Sequence, residues 1–67
     1  MMNKGDLFYV PSHTMLFGKG KILKTPEPTY LINLRELDSF YETFFENQKY
    51  MVRKQDTYPV LEESYND

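Results

Sequence analysis

The sequence predicts an all-β fold, a small antiparallel barrel of five or six strands. Its clearest stretch is residues 40–52, where Phe40-Tyr41-Glu42-Thr43-Phe44-Phe45 and Tyr50-Met51-Val52 are parted by the polar triplet Glu46-Asn47-Gln48. Aromatic and β-branched runs suit pleated, half-buried strands, and Asn47 tolerates the left-handed backbone of a tight turn, so a hairpin is expected. Further short apolar runs recur along the chain with Gly, Pro, Asp and Ser between them, the pattern of a small barrel or sandwich.

Before the hairpin, Lys4-Gly5-Asp6 is a turn entry, and Leu7-Phe8-Tyr9-Val10 is a continuous apolar run that Pro11 stops, giving strand one. Residues 12–17, SHTMLF, read as a second strand or an ordered loop, and Gly18-Lys19-Gly20-Lys21 as a flexible basic loop. Ile22 and Leu23 extend a strand at most briefly, because the two prolines of Thr25-Pro26-Glu27-Pro28 impose an extended connection. Thr29 to Leu34 is the next strand. Residues 31–48 can also be drawn as an amphipathic helix, with Leu34, Leu37, Tyr41, Phe44 and Phe45 near helical spacing. Aromatic density and the Asp38-Ser39 turn pair favour strands.

In the second hairpin strand Tyr50 and Val52 share the core face, with Lys49, Met51 and Arg53 opposite. Lys54 to Thr57 reads as a polar 3₁₀ turn and Tyr58-Pro59-Val60-Leu61 as a closing strand. Pro59 cannot donate to a ladder and places that strand at an edge.

Sixty-seven residues make one domain, divided into a barrel over 1–61 and a flexible acidic tail over 62–67. There is no cysteine, hence no disulfide or thiolate metal site, but eleven aromatics can fill a dense core. The net charge is −2; residues 1–61 hold eight Lys and Arg against seven acids, while Glu62, Glu63 and Asp67 load the end. A strongly basic nucleic-acid footprint is missing. No apolar run reaches the roughly 20 residues of a membrane span, and the first ten residues lack the pattern of a signal peptide, so a soluble, cytoplasmic protein is expected.

Residues 40–52 followed by Lys54 to Tyr58 resemble the latter half of bacterial SH3-like domains, in which an aromatic-rich strand, a tight turn and an aromatic-x-Val strand lead into a 3₁₀ turn and a last short strand. On that resemblance Lys4-Gly5-Asp6 and strand one start the barrel, and residues 12–24 replace its variable long loop. The chain has no Trp and residues 12–24 are basic, which argues against the proline-peptide groove of the eukaryotic type. The brief, cysteine-free, aromatic-rich form is also similar to small accessory proteins of tailed bacteriophages, which implies the host cytoplasm or a virion as its place of action.

His13, the single histidine, adjoins Ser12, but strand neighbours point to opposite faces, and a surface role is expected. The carboxylates are scattered; Glu42 and Glu46 are expected on one strand face as ordinary exposed charges. No metal, no cofactor and no catalytic residue is assigned. Met15, Leu16 and Phe17 with Met51 form a candidate apolar patch. The leading expectation is a non-enzymatic protein-binding module, an accessory or regulatory factor docking on a larger assembly through Phe17, Tyr30, Tyr50, Met51 and Tyr58. The alternatives are a small nucleic-acid-binding barrel using Lys49, Arg53 and Lys54 beside Tyr50 and Tyr58, and a self-assembling structural subunit.

Overall fold

The computed structural model describes residues 2–60, so the proposed tail and Leu61 lie outside the described residues. Within them the fold is all-β, as expected, with two antiparallel sheets. In the three-stranded sheet, β1 (Leu7–Val10) lies between β4 (Thr29–Ile32) and β8 (Tyr58–Pro59). The five-stranded sheet contains β2 (Met15–Gly18), β3 (Lys21–Lys24), β5 (Arg35–Glu36), β6 (Phe40–Phe45) and β7 (Gln48–Arg53), in the order β3-β2-β7-β6-β5.

Eight strands are therefore present among the described residues, rather than five or six, and they form two sheets instead of a closed barrel. The extra strands have local causes. Gly18-Lys19-Gly20-Lys21, expected as a loose loop, is a paired hairpin end: Gly18 stands opposite Lys21, and Gly20 takes the left-handed φ of 76° that the tip requires. Arg35–Glu36 adds a two-residue strand against Glu42 and Tyr41.

The β6–β7 hairpin closes through Glu46 and Asn47, both left-handed (φ 51° and 67°), as in the two-residue turns whose twist matches that of the flanking strands. Gln48 is already in β7, opposite Phe45. The helical drawing of residues 31–48 fails on periodicity. Thr43 is buried and Tyr41 and Phe45 pack against the core, whereas Phe44 is exposed on the opposite face. A helical face would have buried Phe44 and Phe45 together; a strand separates them.

One core is shared by the two sheets. Phe8, Val10 and Leu31 come from the three-stranded sheet, and Leu16, Tyr50 and Val52 from the five-stranded one. The chain passes between sheets at Asn33-Leu34. The Asn33 N–H donates to Asp6 O (2.8 Å) beside β1, and the next N–H, of Leu34, donates to Glu42 O (2.8 Å) in β6. The Thr43 hydroxyl donates to Ile32 O (2.7 Å) and ties the sheets at this crossing.

The turn after β1 is held by two buried threonines. Thr14 and Thr25 hydroxyls both donate to Pro11 O (2.7 and 2.8 Å), and the Thr25 oxygen accepts from Thr14 N–H (3.0 Å). His13 takes a left-handed φ of 67°, and its N–H donates to Thr25 O (2.7 Å). The 3₁₀ turn Lys54–Asp56 then returns the chain to β1, leaving β8 at a sheet edge, where Pro59 was expected. Among the described residues no helix is long and apolar enough to cross a membrane.

Thr25→Val keeps the shape of this fully buried side chain but removes both of its hydrogen bonds, stranding Thr14 N–H and leaving Pro11 O with the Thr14 hydroxyl alone. The variant is expected to lose about 1–3 kcal/mol of unfolding free energy in urea. An unchanged midpoint would show that the network carries none of the turn's stability.

Candidate functional site

Period-two alternation decides which side chains reach solvent. In β1, Phe8 and Val10 point inward, so Leu7 and Tyr9 point outward; in β4, Leu31 is inward and Tyr30 and Ile32 are outward. The register then aligns them: Leu7 stands opposite Ile32, and Tyr9 stands between Tyr30 and Tyr58. The ring centroids lie 5.6 Å (Tyr9–Tyr30) and 6.2 Å (Tyr9–Tyr58) apart, tilted by 55° and 54°. Tyr30 is 65% exposed, Tyr58 and Leu7 51%, and Ile32 37%. This three-tyrosine row with an aliphatic pair is a continuous aromatic and apolar surface on the outside of a three-stranded sheet.

The outer face of the five-stranded sheet differs in kind. One cross-strand row runs Ile22, Phe17, Met51, Glu42, Arg35. Phe17 meets the Phe40 ring edge-on (6.1 Å, 85°), and the Arg53 guanidinium lies 5.8 Å from the Phe17 ring centre. Glu42 accepts from Arg35 Nε at 3.0 Å and lies 3.6 Å from Lys49 Nζ. The hydrogen bond from Arg35 holds the Glu42 carboxyl below its ordinary value of 4.5, helped by the charges of Lys49 and Arg35, while desolvation opposes the shift.

Of the expected anchors, Tyr30 and Tyr58 share the tyrosine face, while Phe17 and Met51 face each other across β2 and β7 on the other sheet. The five therefore do not form one surface. Tyr50 is not an exposed anchor: its ring is 3% exposed, lies against Gly18, and meets Phe45 edge-on (6.4 Å), and its hydroxyl donates to Gln48 Oε1 (3.1 Å). A Cβ on Gly18 would stand 2.8 Å from the Tyr50 ring, so the glycine makes room for it. Leu16, grouped with the apolar patch from sequence, is wholly buried.

Tyr9 was missed. Four consecutive apolar residues show no alternation by themselves, yet burial of Phe8 and Val10 leaves Tyr9 only the outer face.

The cationic constellation is dispersed. Lys49 is engaged by Glu42, Arg53 by Asp56 (3.0 Å) and Lys54 by Glu36, while Tyr58 belongs to the other sheet. Glu46 sits in the hairpin turn, so it does not share a strand face with Glu42. His13 is exposed on its turn. No family model, curated protein or solved structure matches this chain.

A lowered Glu42 pKa implies stability that is present above its ordinary value and is lost as pH falls through the lowered one. Carboxyl chemical shifts followed by NMR should place the Glu42 midpoint below that of an unpaired glutamate. Arg35→Met should raise it. A Glu42 midpoint indifferent to that substitution would refute the pairing.

Proposed function

We propose that this chain is a non-enzymatic protein-binding module of SH3-like architecture, an accessory or regulatory factor that docks onto a larger protein assembly. The docking face is the outer surface of the three-stranded sheet, centred on Tyr9, Tyr30 and Tyr58. The observation that carries the proposal is the row of the exposed Tyr30 and Tyr58 rings on either side of the partly buried Tyr9, with exposed Leu7 and Ile32 beside it. Tyrosine supplies large, stiff contact area with a polar tip, which suits the centre of a protein interface.

Several features support the SH3-like reading. An aromatic-rich hairpin leads through a 3₁₀ turn into a short last strand that pairs with β1, and residues 12–24 form an inserted hairpin where a long loop is expected. The likeness to phage accessory proteins rests on the sequence and suggests a host complex or a virion as the larger assembly.

The geometry favours a protein over a nucleic acid. A single-stranded nucleic acid needs stacking rings and phosphate-holding cations along one track. Here the tyrosine row lies on one sheet, while Lys49, Arg53 and Lys54 are tied to carboxylates away from it, and the five-stranded sheet adds the exposed ring of Phe44 alone beside Lys49. A second copy of the chain is the remaining occupant of the tyrosine face, and sedimentation separates that case.

The test is capture from lysate of the source cell with the tagged chain and its Tyr30→Ser/Tyr58→Ser variant, followed by a binding isotherm on the recovered partner. Both rings are surface groups, so the variant should fold as the parent does by circular dichroism. We expect a nuclease-resistant protein partner whose affinity falls on the order of 30-fold in the variant, corresponding to a hot-spot loss of ~2 kcal/mol. Equal affinity of parent and variant would remove the docking face, and nuclease-sensitive capture would reverse the preference for protein.

A further inference from the structure

The two long hairpins leave a second feature, separate from the tyrosine row. β2 pairs with β7 only at Phe17 and Met51. Beyond that pair, β2 continues to its Lys19-Gly20 tip, while β7 begins at the Glu46-Asn47 tip. Because β2 and β7 are antiparallel, both tips stand at the same end of the sheet. The groove between them is lined by Phe17, Met51, Lys49 and the carboxylate of Glu42 from the outer face and by Tyr50 and Lys21 from the inner one, with Lys19 at its tip.

The three lysines are placed to receive negative charge. Lys19 and Lys21 have no carboxylate partner among the described residues; Lys21 Nζ instead lies 5.7 Å from the Tyr50 ring centre. Lys49 is 66% exposed and lies 3.6 Å from Glu42, which has its closer contact with Arg35. Lys49 can therefore turn towards a ligand without leaving Glu42 unpaired. The Glu46 tip and Glu42 supply the nearest opposing charges, and Glu42 is already satisfied.

The lining decides between anions. Tyr50 is buried and the Phe17 ring is flanked by Phe40 and Arg53, so the groove lacks the row of open rings on which successive bases stack. Phe17 and Met51 instead offer an apolar seat between ammonium groups. Met adapts its shape to varied side chains.

We propose that this groove binds an extended acidic peptide segment, with an apolar side chain seated on Phe17 and Met51 and flanking carboxylates held by Lys19, Lys21 and Lys49. The ammonium groups are solvated, so binding is screened by salt. The site does not depend on the tyrosine row, and either site can fail without the other.

Fluorescence anisotropy with a fluorescein-labelled peptide, DEDLDED, tests the proposal, with a ten-residue thymidine oligonucleotide as the competing anion. Saturable peptide binding is expected, weakening at least tenfold between about 0.05 and about 0.5 M salt. The Lys19→Gln/Lys21→Gln/Lys49→Gln variant should lose at least tenfold in affinity while keeping its circular dichroism spectrum, and Tyr30→Ser/Tyr58→Ser should bind as the parent does. A lysine variant that unfolds is replaced by Met51→Glu, whose carboxylate occupies the apolar seat, repels the acidic peptide and should weaken it by a similar factor. Absence of saturable peptide binding, undiminished binding by the folded variant, or tighter binding of the oligonucleotide would overturn the assignment.

Discussion

Everything in this fold depends on strand alternation around one thin core. Each sheet buries a single face, and the shared interior is built from Phe8, Val10 and Leu31 on one side and Leu16, Tyr50 and Val52 on the other. A one-residue slip of β1 would exchange Phe8 and Val10 for Leu7 and Tyr9, trading one apolar set for another. The pairing of β1 with two partners fixes the choice, since Tyr9 must stand opposite both Tyr30 and Tyr58. The exposed tyrosine row is thus the other side of the same packing decision that builds the core.

Polar groups complete the arrangement where strands end or change sheets. Thr25 and Thr14 satisfy Pro11 O, and Thr43 holds Ile32 O, each from a buried position. Asn33 marks the crossing between sheets: its Nδ2 donates to Asn3 O (3.1 Å), while its buried Oδ1 has no partner among the described residues. The backbone bonds of Asn33 and Leu34 hold the bend, one N–H to each sheet. The ion pairs among the described residues fall on the five-stranded side and the turn that follows it, around Glu36, Glu42 and Asp56. The two outer faces consequently differ in character, one carrying tyrosines and aliphatic side chains, the other ion pairs set among Phe17, Phe40, Phe44 and Met51.

What could be read from sequence was local. The left-handed Asn47, the inward Tyr50 and Val52, the 3₁₀ turn at Lys54 and the edge position of Pro59 each follow from a few neighbouring residues. The β2–β3 hairpin was hidden because its Lys19-Gly20 tip looks like an ordinary basic loop until Gly18 and Lys21 are seen paired. Charge pairing was equally hidden: Lys54 meets Glu36 and Lys49 meets Glu42 through strand register, which removed cations that had looked available to phosphate. Sheet closure is set by nonlocal contacts, so two open sheets and a closed barrel share the same strand signals. Of the candidate site, Tyr30 and Tyr58 were identified individually, but their meeting through Tyr9 required the register.

The most direct measurement is the light-induced nuclear polarisation of tyrosine rings by a soluble flavin dye, which reports ring by ring on access from solvent. The fold predicts strong signals from Tyr30 and Tyr58, a weaker one from Tyr9, and none from Tyr50, which Gly18 and Phe45 enclose. A polarised Tyr50 with silent Tyr30 and Tyr58 would mean that the strands present their opposite faces, and would contradict both the core and the docking surface built on it.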